Sequence, residues 1–126
     1  MKILNIIEAA YRGTIEEQDD TILWLTNIMQ SGGGDFTVLL RGNAINHCVT
    51  AQDCSGLSFG DWQQMQPPRL ADDTAALIAK GVEVCYVVED AAERGLQPGD
   101  MVPGLKAVSR NAIAGLCDAH DQVWHW

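Results

Sequence analysis

Four cysteines and three histidines carry most of the capacity of this sequence for nucleophilic, redox or metal chemistry. Cys48, Cys54, Cys85 and Cys117 contain no Cys-x-x-Cys pair, and the one close spacing is that of Cys48 with Cys54. Zinc or iron–sulfur ligation is therefore poorly supported, and neither a metal site nor a cofactor is expected. Thiolate chemistry remains. Cys85 stands in the run Val82 to Val88, which feeds directly into the Ala- and Glu-rich stretch Glu89 to Gly95. The N-terminus of a helix there would favour its thiolate, while Glu83, Glu89 and Asp90 oppose it. A free cysteine in a β-branched strand is also among the most frequently buried residue types, so core packing stands beside reactivity.

The other thiols read differently. His47 and Cys48 are adjacent, and adjacent helical residues point about 100° apart, so a structural role is expected for both. Cys54, in the polar segment Asp53-Cys-Ser-Gly, is the thiol expected to be most exposed and a candidate resolving partner, with Cys48 as a further secondary thiol. Cys117 falls at a helical core position. His120, Trp124, His125 and Trp126 form an aromatic tail, read as a last strand packing its indoles on a sheet or as an oligomer contact.

The elements that must position these residues alternate between strand and helix. Lys2 to Glu8 is a compact apolar run typical of a central parallel strand. After a polar loop, Thr14-Ile-Glu-Glu is consistent with a capping box, with Glu16, Glu17, Asp19 and Asp20 at the positive end of a helix whose apolar positions are Ile15, Ile22, Leu25, Ile28 and Met29. Asp35 to Arg41 is a second strand, followed by a helical turn to Val49. Thr50 to Pro68 lacks periodicity and is expected to be a long loop, with Phe59, Trp62 and Met65 as apolar anchors. Leu70 to Ala79 is helical. Met101 to Val108 holds at most a short strand, Ser109 caps a helix through His120, and Asp121 to Trp126 is the last strand. A three-layer α/β/α sandwich follows, with a mostly parallel sheet of about five strands, right-handed crossovers and one domain over residues 1–126.

Composition limits the function classes. The 126 residues carry 17 acidic against 8 basic side chains, a net charge of −9, which argues against a nucleic-acid surface. No run approaches the ~18 apolar residues of a membrane span, and the N-terminal run lacks a cleavage-site pattern, so the chain is expected in the cytoplasm with reduced thiols.

Strand 1 ending in a loop, Val38-Leu-Leu-Arg-Gly-Asn-Ala44, the Gly81-Val82 lead into a strand, Glu93-Arg94-Gly95-Leu96 and the final Val123-Trp124 together resemble the DsrE/DsrF-like superfamily, which includes sulfur-relay subunits and small YchN-like proteins. The resemblance implies a small α/β/α domain assembled into trimers or hexamers, some members of which carry persulfide sulfur on a cysteine near the end of the third strand. That position falls on Val87 here. Cys85 lies two residues earlier, on the same side of the strand and about 6.6 Å deeper.

Two functions follow. In the first, Cys85 relays persulfide sulfur between a donor and an acceptor protein, a sulfurtransferase-like role that needs no cofactor. In the second, a non-catalytic subunit uses a strand-end cleft, lined by Asn43, His47, Glu89 and Asp90, for a small ligand or a protein partner. A homo-oligomer is expected in either case, because Phe59, Trp62, Met65, Trp124 and Trp126 are anchor-type side chains in loop and terminus.

Overall fold

A computed structural model describes residues 1–10 and 21–126. The capping box at Thr14, Ile15 and the acidic cluster Glu16 to Asp20 lie outside the described residues. Strand β1 (Lys2–Ile7) leads to helix α1 (Thr21–Ser31), strand β2 (Asp35–Leu40) and a 3₁₀ turn, Gly42–Cys48. Two short strands follow, β3 (Ser58–Phe59) and β4 (Trp62–Gln63), then helix α2 (Leu70–Ala79). Strand β5 (Glu83–Val87) passes without a break into helix α3 (Val88–Glu93). Strand β6 (Lys106–Val108), a 3₁₀ turn (Arg110–Ala112), helix α4 (Ile113–Asp118) and strand β7 (Gln122–His125) complete the chain.

Five strands form one sheet in the order β6-β5-β2-β1-β7, and every pairing in it is parallel. Side chains alternate across it. Ile3, Ile7, Val38, Leu40, Val84 and Tyr86 face the layer that contains Ile22 and Leu23 of α1, Leu77 of α2 and Ala91 of α3. Leu4, Ile6, Leu39, Cys85, Val87 and Val108 face the other way, against Ile113, Leu116 and Cys117 of α4. Apolar burial on both faces is what a parallel sheet requires, and it explains why its strands read as continuous apolar runs.

Several expectations are refined. The Ser109 helix is split into a 3₁₀ turn and the six residues of α4, and His120 follows it, its Nδ1 beside Leu116 O (2.7 Å) and its Nε2 beside Thr37 Oγ1 (2.9 Å). On α1 the buried positions are Ile22, Leu23 and Thr26, whereas Ile28 turns outward at 53% exposure. The Thr50–Pro68 loop contains the β3–β4 hairpin, a separate two-stranded antiparallel sheet. Gly95 has φ +70°, as a C-terminal glycine after α3 demands.

One polar residue sits in the middle of β1. Asn5 is buried, its amide donates to Thr26 Oγ1 (2.7 Å), and its carbonyl accepts from Trp126 Nε1 (2.6 Å). Asn5→Ala removes both bonds and opens space between α1 and β7. A loss on the order of 1–3 kcal/mol is expected in urea unfolding; an unchanged midpoint would show that these bonds contribute nothing net.

Candidate functional site

Cys85 occupies the middle of β5, opposite Leu39 of β2 and Lys106 of β6. Its exposure is 0%, and α4 with its Leu116 and Cys117 packs over the cluster to which it belongs. The thiol donates to Glu83 Oε1 at 3.7 Å, and that carboxylate also holds Lys106 Nζ at 3.2 Å. Burial first, and then the Glu83 charge, push the Cys85 thiol up to about 12 against the opposing pull of Lys106. It is a protonated core side chain at neutral pH. Val87, nearer the strand end, is equally buried. Cys48 is buried in the other core layer, and burial raises its thiol to about 12 as well. Cys54 is half-buried in its loop, with its thiol 3.7 Å from Gln52 O, and Cys117 is half-buried under the α4 layer. All four are free.

Of the four residues expected to line a strand-end cleft, the fold brings three together. Asp90, in the first turn of α3, accepts from Gly42 N (2.7 Å) and from Arg110 Nη2 (2.6 Å). Arg110 Nη2 also reaches Glu93 Oε1 (2.9 Å), and Arg110 N donates to Glu89 Oε2 (2.8 Å). Arg94 joins the cluster, donating to Asp90 O (3.0 Å) and to Asn43 Oδ1 (2.8 Å). Burial alone would raise the Asp90 carboxyl, but the Gly42 N–H and Arg110 outweigh it and hold it below the usual aspartate value. Glu93 and Asp90 in turn hold Arg110 firmly protonated. These groups clasp the ends of β2 and β5 to one another. His47 does not join them: it is fully buried in the 3₁₀ turn after β2, where its carbonyl accepts from Thr74 Oγ1 (2.9 Å).

A crevice lies two strands over. The chain steps outward from β1 through β2 and β5 to β6, then returns to place β7 on the opposite side of β1. The carboxyl ends of β1 and β7 therefore flank the point at which the winding reverses, where open α/β sheets leave room for ligands. Glu8 N and Ala9 N both donate to Trp126 O (2.9 and 3.3 Å), and Trp126 N donates to Ile6 O (2.9 Å), fixing the two ends side by side. Glu8, Ala9, His125 and Trp126 line a hollow of about 340 Å³. It adjoins a groove of about 510 Å³ lined by Leu25, Met29, Trp124, His125 and Trp126, with His125 and Trp126 common to both.

The polar end of this crevice is compact. Glu8 Oε2 lies 2.8 Å from His125 Nε2, and Glu8 Oε1 lies 3.9 Å from Arg41 Nε. Gly42 (φ +56°) permits the approach, since a Cβ there would stand 3.2 Å from Glu8 Cγ. Trp124 is held from behind by Phe36, edge to face at 5.6 Å. Glu8 and Arg41 did not stand out in the sequence because the pairing of β1 with β7 joins residues more than a hundred positions apart. The available signal was a polar, proton-exchanging side chain at the end of each of two strand runs, Glu8 and His125. Among the described residues, no group of three or more His, Cys, Asp or Glu side chains is placed to hold a metal ion, and no helix is long and apolar enough to cross a membrane.

The fold is similar to that of the YchN protein from E. coli, at 17% sequence identity, with a TM-score of 0.74 over 99% of this chain and 98% of that one. It is also similar to a protein of unknown function from Methanobacterium thermoautotrophicum, at 14% identity, with a TM-score of 0.61 over 99% and 97% of the two chains. At these identities the likeness shows the fold, a DsrE/YchN-like α/β domain with a five-stranded parallel sheet. No protein-family model matches the chain, and no curated protein matches its sequence.

Proposed function

We propose that this protein is a non-covalent binding subunit built on the DsrE/YchN-like fold, and that it holds a small amphipathic ligand in the crevice at the carboxyl ends of β1 and β7. The observation that carries this is the combination of an apolar groove, walled by Leu25, Met29, Trp124 and Trp126, with a polar end made by Glu8 and His125, the former paired with Arg41. A mostly apolar concavity with a few convergent polar groups is the usual form of a small-molecule site. The ligand class that fits has a flat apolar body and a head group offering both a donor and an acceptor. The protein works in the cytoplasm as a homo-oligomer, a trimer or hexamer, and needs no resident cofactor.

Native mass spectrometry against a panel of small aromatic and aliphatic acids and amines tests this. The wild-type protein is expected to retain one chemical class, and Glu8→Gln combined with His125→Ala, a half-buried and an exposed position, is expected to weaken it at least tenfold. Equal retention by the double variant would overturn the assignment of the site.

A sulfur relay, with Cys85 as the persulfide carrier or Cys54 or Cys48 in its place, and with donor and acceptor proteins as partners, is the second reading. The motif resemblance in the sequence favours it, and the burial of Cys85 weighs against it. A sulfane donor should add one sulfur atom to the chain if it is right, with Cys85→Ser abolishing the gain. No gain on any thiol would exclude it.

A further inference from the structure

The crevice at β1 and β7 is rich in acceptors and poor in donors. Trp126 Nε1 donates into the core, to Asn5 Oδ1 (2.6 Å), and Trp124 Nε1 donates to Gln122 Oε1 (3.2 Å), so the two indoles offer a bound molecule their ring surface and not their N–H groups. The backbone donors are engaged as well, since Glu8 N and Ala9 N both serve Trp126 O. His125 Nε2 lies on Glu8 Oε2 (2.8 Å). In the neutral tautomer that donates there, the other ring nitrogen is a further acceptor.

Glu8 has the capacity to meet a donor. Its side chain is 45% exposed where it lines the hollow, and a carboxylate accepts at about four lone-pair sites. Arg41 Nε stands 3.9 Å from Oε1, an ion-pair distance too long for a hydrogen bond, so this pair uses none of the lone pairs of that oxygen. Arg41 also divides its charge between Glu8 and Asp90, and its Nε is buried. The neighbouring guanidinium groups are held in the same way, Arg110 by Asp90 and Glu93 and Arg94 by Asp90 O and Asn43 Oδ1.

We infer that the ligand is an organic cation, a protonated amine on a flat apolar body, with its ammonium donating to Glu8 against the indole of Trp126 and its body lying along the groove past Trp124. This rests on the crevice being the ligand site, and it gives Glu8 the choice between amines and acids. Trp126 lines both the hollow and the groove, so one head group can touch the carboxylate and the ring together. An ammonium is attracted by the quadrupole of an indole face, and its hydrogen bond to a carboxylate is charge-assisted.

The opposite ligand class fares worse on each count. An acid of the same body meets the like charge of Glu8, finds the N–H groups around it already donating, and approaches a chain whose net charge is −9. That field draws cations in and turns anions away.

Three indoles of similar size and different charge test this by titration calorimetry near pH 7: tryptophanol, an amino alcohol; tryptophol, which lacks the amine; and indole-3-propionate. Tryptophanol is expected to bind about tenfold tighter than the other two. Glu8→Gln should bring it down to the level of tryptophol and leave tryptophol unchanged. Added salt should weaken tryptophanol alone, a readout on the wild-type chain that stands even if the variant folds poorly. Met29→Trp, which fills the groove, should abolish binding of any probe seated there. No binding by the three probes at millimolar concentration, or binding that Met29→Trp leaves intact, would remove the crevice reading and this inference together. Equal affinities or a preference for indole-3-propionate, with binding still lost in Met29→Trp, would overturn the cation alone, as would a preference for tryptophanol that survives in Glu8→Gln.

Discussion

Iodoacetamide added to the native protein near neutral pH should modify Cys54 and leave Cys85 and Cys48 almost untouched, both reacting about a thousandfold more slowly than an unhindered thiol. The factor follows from a thiol pushed from 9.0 to about 12, since each unit removes tenfold of the reactive thiolate, and burial adds a steric barrier. The same shift sets the alkaline limit of stability. A group whose folded-state pKa is raised keeps its stabilising contribution below the unfolded value and loses it as pH rises through the folded one. Stability should therefore decline between about pH 9 and pH 12 as the unfolded thiols ionise first. Cys85→Ser should cost on the order of 1–3 kcal/mol, because the hydroxyl enters the apolar layer of Leu4, Leu39 and Val87 even with Glu83 left as an acceptor. Peptide mapping reads the labelling; modification of Cys85 at the rate of Cys54 would show that α4 opens and would reinstate the thiol as a candidate carrier.

Asp90→Ala is expected to be the other costly substitution. It removes the acceptor of Gly42 N and the buried partner of Arg110, and the orphaned groups cost roughly 2–3 kcal/mol. Arg110 is partly solvated and finds water and Glu93, which keeps the figure below that for a fully buried pair. The pH dependence runs opposite to that of the thiols. A carboxyl held below its ordinary value of 3.8 contributes stability above that pH and loses it as pH falls through the lower folded value. The gap between wild type and Asp90→Asn in urea unfolding should thus be full at neutral pH and shrink under acid. A gap that does not change with pH would mean that the Asp90 charge carries none of it.

The sheet was legible because its physics is local. Strands buried on both faces must be largely apolar, and Ile3 to Ile7, with Asn5 as the polar exception, Val38 to Leu40 and Val84 to Val87 are. The helix over Leu70–Ala79 matched its bounds for a similar reason, with Thr74 and Leu77 buried on one side and Asp72 and Asp73 in the first turn. The hairpin at Phe59 and Trp62 was not legible, because two-residue strands show no period. Nor was the outward turn of Ile28, since a helix whose neighbouring rows are both apolar does not reveal which row meets the sheet. The crevice was hidden for a different reason. It depends on strand order, and nothing in Asp121 to Trp126 announces that this strand lies beside β1 rather than beyond β6. Attention to Cys85 pointed instead to β5, where Asp90 and Arg110 bind the strand ends together.

The pairing of Trp126 with Asn5 spans 121 positions. On the ribosome, β1 emerges early, yet the strand that covers its outer edge is made more than a hundred residues later, and contacts of such separation form slowly. Throughout that interval β1 offers an open row of backbone donors and acceptors to any neighbouring chain. Asn5 takes its two partners at different times: Thr26 of α1 is made soon after β1, whereas Trp126 arrives only with β7. Its bond to Trp126 therefore forms only when β7 docks and covers that open edge.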